Sequence, residues 1–306
     1  MEFVATLIAA PSETCLTSHV LADARRAMDA LGADTTAPNI LGMHPESDHI
    51  EAADIFFEGI NPEAANSAIR AVLGGSPIDC ITTETANRKK KILVADMDST
   101  MVIGETLDEL ADFANLKDKI AAITARAMNG ELDFEAALKE RVGMLAGLKE
   151  DALQKTYDAL HLMPGSQELV ATMRANGAYT VLVSGGFDFF TRRVAAALHF
   201  HEDVSNRLEI IDGALTGQVI MPIVDRSTKL ATLKDRAKRH SLSLNDAITV
   251  GDGANDLDML KAASLGIAYH AKPAVAAEAT NRVQYGSLVA LLFAQGYTRA
   301  DFITAP

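Results

Sequence analysis

The sequence predicts an α/β protein in which a parallel-sheet domain follows a small ferredoxin-like α+β module. Three apolar runs, Ile92–Ala95, Tyr179–Val183 and Ala247–Val250, read as strands buried on both faces, and helical patterns separate them. Before residue 85 the order is strand, helix, strand, strand, helix, strand. A chain of 306 residues has room for one large and one small domain, and 48% hydrophobic with 23% charged residues is an ordinary globular composition.

The first module is read over residues 1–84. Phe3–Ala9 is a strand. Leu16, Val20, Leu21, Ala24, Met28 and Leu31 recur at helical spacing, and Gly32 stands where a glycine cap belongs. Asp34–Leu41 is a strand weakened by Pro38, and Ala52–Phe57 is the next. Asn61 and Pro62 supply an N-cap and a first-turn proline for a helix ending near Gly74-Gly75, and Pro77–Thr83 closes the set. This order resembles the ACT-type modules, which implies regulation or assembly, here as a homodimer. Residues 85–91 are polar, end in three lysines and read as a solvated linker.

Residues 92–306 form the second domain. A helical stretch from Thr106 to Arg174 breaks near Asn115, Asn129-Gly130, Gly147 and Pro164-Gly165. Leu208–Ile211 and Leu215–Ile220 form a hairpin about Asp212-Gly213. A helix over Thr228–His240 leads to the third buried strand. After it come a helix over Leu257–Ala262, a strand at Gly266–Tyr269 and a helix over Pro273–Ala279.

Several function classes are disfavoured. A formal charge of −13 argues against a nucleic-acid binder and against a membrane-surface protein. Leu288–Phe293, one of the most apolar runs, is far too short to span a bilayer, and the first residues lack a signal peptide's basic flank, so the cytoplasm is expected. Cys15 and Cys80 belong to no CxxC pair and read as small buried apolar residues. The eight histidines show no ligand spacing.

In parallel α/β sheets the site lies beyond the carboxyl ends of the strands. Three strand ends here carry polar residues: Asp96-Met97-Asp98-Ser99-Thr100, Ser184-Gly185-Gly186 and Gly251-Asp252-Gly253-Ala254-Asn255-Asp256. Carboxylates crowded into one crevice repel unless a cation intervenes, and an all-oxygen donor set favours a hard metal, with Mg²⁺ the cytosolic candidate. Asp96 suits a nucleophile that attacks phosphorus directly. Asp98, two residues on, suits the acid that protonates the leaving alkoxide and then the base that activates water. Lys229 offers positive charge, Ser184 a hydroxyl, and Gly185 an accessible backbone N–H.

These motifs, in this order and on these strand ends, resemble the signature of the haloacid dehalogenase-like superfamily. The likeness covers roughly residues 90–290. It implies a Rossmann-like core with an inserted helical cap, about 103–165, and Mg²⁺ as cofactor. By position, Asp96, Asp98 and Asp252 would ligate the metal, with Asp256 beside Asp252. Ser184, Gly185, Lys229 and Asn255 would hold the phosphoryl group. The stretch Asp96–Glu109, with its Glu-Thr-Leu-Asp-Glu-Leu segment, resembles more narrowly the phosphoserine phosphatases, which implies hydrolysis of O-phospho-L-serine in serine biosynthesis. The alternative is a phosphotransferase using the same aspartyl-phosphate, or a phosphatase acting on another small phosphomonoester.

An amino-acid phosphate also carries an ammonium and a carboxylate, which call for an acid and preferably an arginine. Glu105, where the cap begins, fits the first. Arg141 fits the second, because it shares a helical stripe with Phe134, Leu138 and Leu145. Met128 and Phe134 would wall the pocket or simply fill the cap core. Competing structural roles are a capping box at Thr106-x-x-Glu109 that employs this first turn, a solvated Lys229, and an Arg141 that pairs with a nearby glutamate.

Overall fold

In a computed structural model describing residues 1–11, 16–44, 49–128 and 131–304, the elements follow the periodicities of the chain. Cys15, the break at Asn129-Gly130 and the side chain of Met128 lie outside the described residues. In chain order the elements begin with β1 (Phe3–Ala9), α1 (Ser18–Asp29), β2 (Asp34–Thr35), β3 (Asn39–Met43), β4 (Ile50–Glu58), α2 (Pro62–Leu73), β5 (Ile78–Glu84) and β6 (Ile92–Ala95). Helices α3 (Thr106–Asp112), α4 (Lys117–Met128), α5 (Phe134–Gly143), α6 (Asp151–Asp158) and α7 (Ser166–Ala175) follow. Then come β7 (Tyr179–Phe187), α8 (Asp188–Ala197), β8 (Glu202–Ile211), β9 (Ala214–Ile220) and α9 (Arg226–Arg239). The chain finishes with β10 (Ala247–Gly251), α10 (Leu257–Ala262), β11 (Leu265–Tyr269), α11 (Pro273–Glu278), β12 (Asn281–Val283) and α12 (Ala290–Ala294).

The chain packs into two compact units. One comprises Met1–Lys91, Pro164–Ala178 and Thr280–Pro306, the other Ile92–Met163 and Tyr179–Ala279. In the first unit β1 is central and runs antiparallel to both β4 and β5. β2 and β3 both pair with β4, so the strand expected over Asp34–Leu41 is in fact two, parted at Pro38, which has no N–H to give a ladder. Leu7, Met28, Ile55 and Ile69 meet in a core between this sheet and helices α1 and α2. Asn61 caps α2 by accepting from the Ala64 N–H at 2.8 Å, and Pro62 opens the helix.

The lysines before β6 are not uniformly solvated. Lys90 is buried, and its ammonium donates to the Asn87 carbonyl at 2.9 Å, which lets the apolar stem leave water. Nearby, Arg88 forks onto both oxygens of Asp54 at 2.7 Å.

In the second unit the sheet order is β11-β10-β6-β7-β8-β9. All neighbours are parallel until β9, which returns antiparallel on β8 through Asp212 and Gly213, both at positive φ as a tight hairpin turn requires. The helical stretch breaks at Asn115 (φ 56°) and Gly147 (φ 85°), left-handed positions that end a helix. β10, β6 and β7 are adjacent, so their carboxyl ends bring Asp252, Asp96 and Ser184 together. β7 runs past Ser184 to Phe187, with irregular pairing between Val183 and Phe187 that opens the backbone around Ser184-Gly185. No helix among the described residues is long and apolar enough to cross a membrane. The apolar run at Leu288–Phe293 is spent on the buried helix α12 of the first unit.

Candidate active site

A cleft opens over the ends of β6, β7 and β10. Asp96, Asp98, Ser184, Gly185, Asp252 and Asn255 line its floor side, and Glu105, Phe134, Leu138 and Arg141 come from the helical segment between β6 and α6. The sequence-predicted residues are therefore gathered at one place. Lys229 lies beneath them, fully buried, and reaches the cleft through Asp96.

The floor is a charge cluster. Lys229 Nζ lies 2.8 Å from Asp96 Oδ1 and 2.7 Å from Asp256 Oδ1. Asp256 Oδ2 accepts from the Gly253 N–H at 3.0 Å, so both its oxygens are engaged. The close seat of Asp256 depends on Gly251, where any Cβ would overlap its carboxyl. Burial opposes the lysine's charge, but Asp256 and Asp96 outweigh it and hold the ammonium protonated more firmly than a free lysine. For Asp96, burial, Asp256 and Asp252 push the carboxyl well above its usual range despite Lys229. Burial pushes Asp252 up to about 7, with Lys272 opposing and Glu105 and Asp256 adding to the rise. Carboxylate oxygens of Asp96, Asp252 and Asp256 lie within 4.8 Å of one another. An all-oxygen group packed this closely fits a hard divalent cation.

Asp98 is held from two sides. Its Oδ1 accepts from the Thr106 N–H at 2.8 Å, so it takes the place at the start of α3 that a capping box would have filled. The competing capping box at Thr106-x-x-Glu109 does not form, because Glu105 itself is the N-cap residue and makes no side-chain cap bond. At Gly186 a Cβ would come within 2.8 Å of Asp98 Oδ2 and 3.1 Å of Ser184 Oγ, so only glycine lets these two groups converge. Burial raises Asp98 to about 6 against the Thr106 hydrogen bonds that favour its ionised form. Such a carboxyl exchanges its proton near neutral pH.

The upper wall differs in character. Arg141 is 4% exposed. Its Nη1 donates to Thr124 Oγ1 at 2.9 Å, and that hydroxyl donates to Asp108 Oδ1 at 2.6 Å, so the arginine is aimed by a threonine rather than by a salt bridge. Glu105 accepts from Ser99 Oγ at 2.8 Å, and burial together with Asp98 pushes it up to about 7. Phe134 leans over Gly185, where a Cβ would meet its ring at 2.8 Å.

Lys272 is the residue that sequence reasoning missed. Its Nζ bonds Asp252 and lies 3.6 Å from Glu105, and its backbone N–H donates to the Asp252 carbonyl at 3.1 Å. The signal available was Ala271-Lys272-Pro273 directly after a strand, a cation at the same sheet edge as the acids. Asn255 lines the cleft, with its amide Nδ2 nearest Gly185 and its Oδ1 buried without a hydrogen-bond partner.

Comparison with known proteins agrees with this geometry. Residues 93–261 match the family described as haloacid dehalogenase-like hydrolase. A phosphoserine phosphatase of Mycobacterium tuberculosis is 43% identical over 218 residues, 71% of this chain and 53% of that protein. One from Idiomarina loihiensis is 44% identical over 201 residues, 66% of this chain and 91% of that protein. The match thus spans about half of the first relative and nearly all of the second. Among solved structures, a haloacid dehalogenase family hydrolase of Salmonella enterica serovar Typhi superposes with a TM-score of 0.79 at 29% identity, covering 96% of this chain and 98% of that one. A phospho-aspartyl intermediate analogue of phosphoserine phosphatase gives 0.65 at 35% identity, covering 67% and 98%. The chain belongs to the haloacid dehalogenase-like hydrolases, in their phosphoserine phosphatase group.

Proposed function

We propose that this chain hydrolyses O-phospho-L-serine to L-serine and inorganic phosphate, with a covalent phosphate on Asp96. The observation that carries the reading is the pairing of two chemistries in one cleft: a lysine-held nucleophilic carboxylate on the floor, and Glu105 with Arg141 on the facing wall. The relatives named above act on phosphoserine, and their identity to this chain supports the same substrate here.

In this mechanism an Asp96 oxygen attacks phosphorus and the serine alkoxide leaves with the proton of Asp98. Asp98, now ionised, takes a proton from water, and the resulting hydroxide attacks phosphorus and releases phosphate from Asp96. Lys229, the Ser184 hydroxyl and the Gly185 N–H stabilise charge on the phosphoryl oxygens. Glu105 receives the substrate ammonium and Arg141 its carboxylate. Phe134 over Gly185 keeps water from the reacting centre.

Asp96, Asp252 and the Asp98 carbonyl would hold the metal, which we propose is Mg²⁺; when bound it neutralises the carboxylates and polarises the phosphoryl oxygens. Asp256, with both oxygens engaged, serves Lys229 instead. The first unit is proposed to be an ACT-type module, supported by its central β1 between antiparallel β4 and β5, and a homodimer is its simplest assembly. Light scattering on the full chain would expose a monomer and sink that part.

The decisive experiment assays phosphate release from a panel of phosphomonoesters with Mg²⁺ and with EDTA, for the natural chain and Asp96→Asn. Phosphoserine should be preferred, EDTA should stop turnover, and Asp96→Asn should retain none. Serine and phosphate should appear in equal amounts with or without acceptor alcohols; loss of phosphate to an alcohol would identify a phosphotransferase instead.

A further inference from the structure

Asn206 lies on β8, outside the strand-end motifs, and is 1% exposed. Both ends of its amide are committed. Nδ2 donates to the Gly185 carbonyl at 2.7 Å, and Oδ1 accepts from the Val224 N–H at 2.7 Å. Only this orientation of the amide gives a donor to the carbonyl and an acceptor to the N–H.

Each partner leads to one half of the phosphoryl cradle. The peptide between Gly185 and Gly186 has its C=O on Asn206 and its N–H on Ser184 Oγ, at 2.8 Å. The plane of that peptide is therefore fixed. With the Ser184 oxygen already accepting from Gly186, its one proton is left to donate toward the cleft. On the other side, Val224 immediately precedes Asp225, the N-cap of α9, which accepts from the Thr228 N–H at 2.8 Å and so starts the helix that carries Lys229. One buried amide thus ties the loop bearing Ser184 and Gly185 to the entry of the helix bearing Lys229.

We infer that Asn206 is a positioning residue that sets the spacing of the two halves of the phosphoryl cradle, without touching substrate. The inference rests on the phosphatase reading above. It makes a prediction that a general packing role does not: disturbing Asn206 weakens the phosphate end of the site and leaves the amino-acid end, at Glu105 and Arg141, as it was.

The test uses the full chain carrying Asn206→Asp or Asn206→Ser. Asp keeps an acceptor for Val224 but, when ionised, sets an oxygen against the Gly185 carbonyl. Ser is too short to reach both partners. The readouts are the melting temperature, turnover of phosphoserine, and inhibition constants for the two products, inorganic phosphate and L-serine. Expected is a loss of turnover and of phosphate inhibition of about 10-fold or more, as for removal of a charge-stabilising donor, with serine inhibition within about twofold of the natural chain. Asn206→Asp should recover turnover at acid pH relative to the natural chain, because a protonated carboxyl can again donate to Gly185. Equal weakening of both products in a folded variant, or no weakening of phosphate, overturns the inference. So does failure of both variants to show a native melting transition, which would assign Asn206 to folding alone. If the natural chain releases no phosphate from any phosphomonoester, it is the phosphatase reading that has failed.

Discussion

The ammonium of Lys229 lies 2.8 Å from Asp96 Oδ1, and the lysine is wholly shielded from solvent while the aspartate is 7% exposed. A buried pair of this kind is worth little against an apolar replacement of both partners, but breaking it from one side leaves an unpaired charge. Lys229→Met is therefore expected to cost about 3–5 kcal/mol in denaturant unfolding without metal and to reduce turnover at least about 100-fold. A variant with near-natural stability would show that Asp96 and Asp256 share a proton instead of relying on the lysine.

The raised carboxyls make the metal-free protein sensitive to pH in an unusual direction. Asp252 titrates near 7 in the fold and near 3.8 when unfolded. Between those values the native state holds the extra proton, so stability falls as pH rises through this window. With EDTA present, the melting temperature should drop by several degrees between about pH 5 and about pH 8. Mg²⁺ should flatten the curve, because the cation takes over the work of the protons. A metal-free melting temperature that rises over the same range would contradict the clustering of these acids.

Arg141 is predicted to separate recognition from chemistry. Arg141→Ala should raise KM for phosphoserine about 10-fold or more, while turnover of an aryl phosphate without a carboxylate stays within about threefold. Arg141→Lys should not rescue it, since the contact to Thr124 and a carboxylate fork need the guanidinium plane. Equal losses on both substrates would place Arg141 in the cap's packing alone.

Gly251 offers a steric test. A methyl group there overlaps the Asp256 carboxyl, which has nowhere to move because Lys229 and Gly253 hold both its oxygens. Gly251→Ala should cost about 1–3 kcal/mol and should lower kcat more than it raises KM, measured by unfolding and steady-state assays.

The floor of the site was legible because Ile92–Ala95, Tyr179–Val183 and Ala247–Val250 stop abruptly at polar residues, and adjacent parallel strands must then pool those residues. The helix breaks at Asn115 and Gly147 were legible for a local reason, since both positions need a left-handed backbone. Burial of Lys229 was not readable from its own helix, whose sequence Arg-Ser-Thr-Lys-Leu-Ala-Thr-Leu-Lys-Asp-Arg-Ala-Lys-Arg is mostly charged. Lys272 left only a faint signal after its strand and Asn206 none, because their roles depend on partners brought near by the sheet: Asp252 for the lysine, Gly185 and Val224 for the asparagine. Lys90 was misread because a lysine's composition says nothing of whether a carbonyl waits to receive its ammonium.

The hydrogen bond from Thr106 to Asp98 gives the site a built-in spectroscopic handle. Its amide proton points at the carboxyl group whose charge changes when Asp98 gives up or receives a proton. The nitrogen and proton resonances of Thr106 should therefore shift as pH passes through the Asp98 value of about 6. That curve would follow the proposed acid in the resting enzyme, and the pH profile of kcat/KM should show the same value.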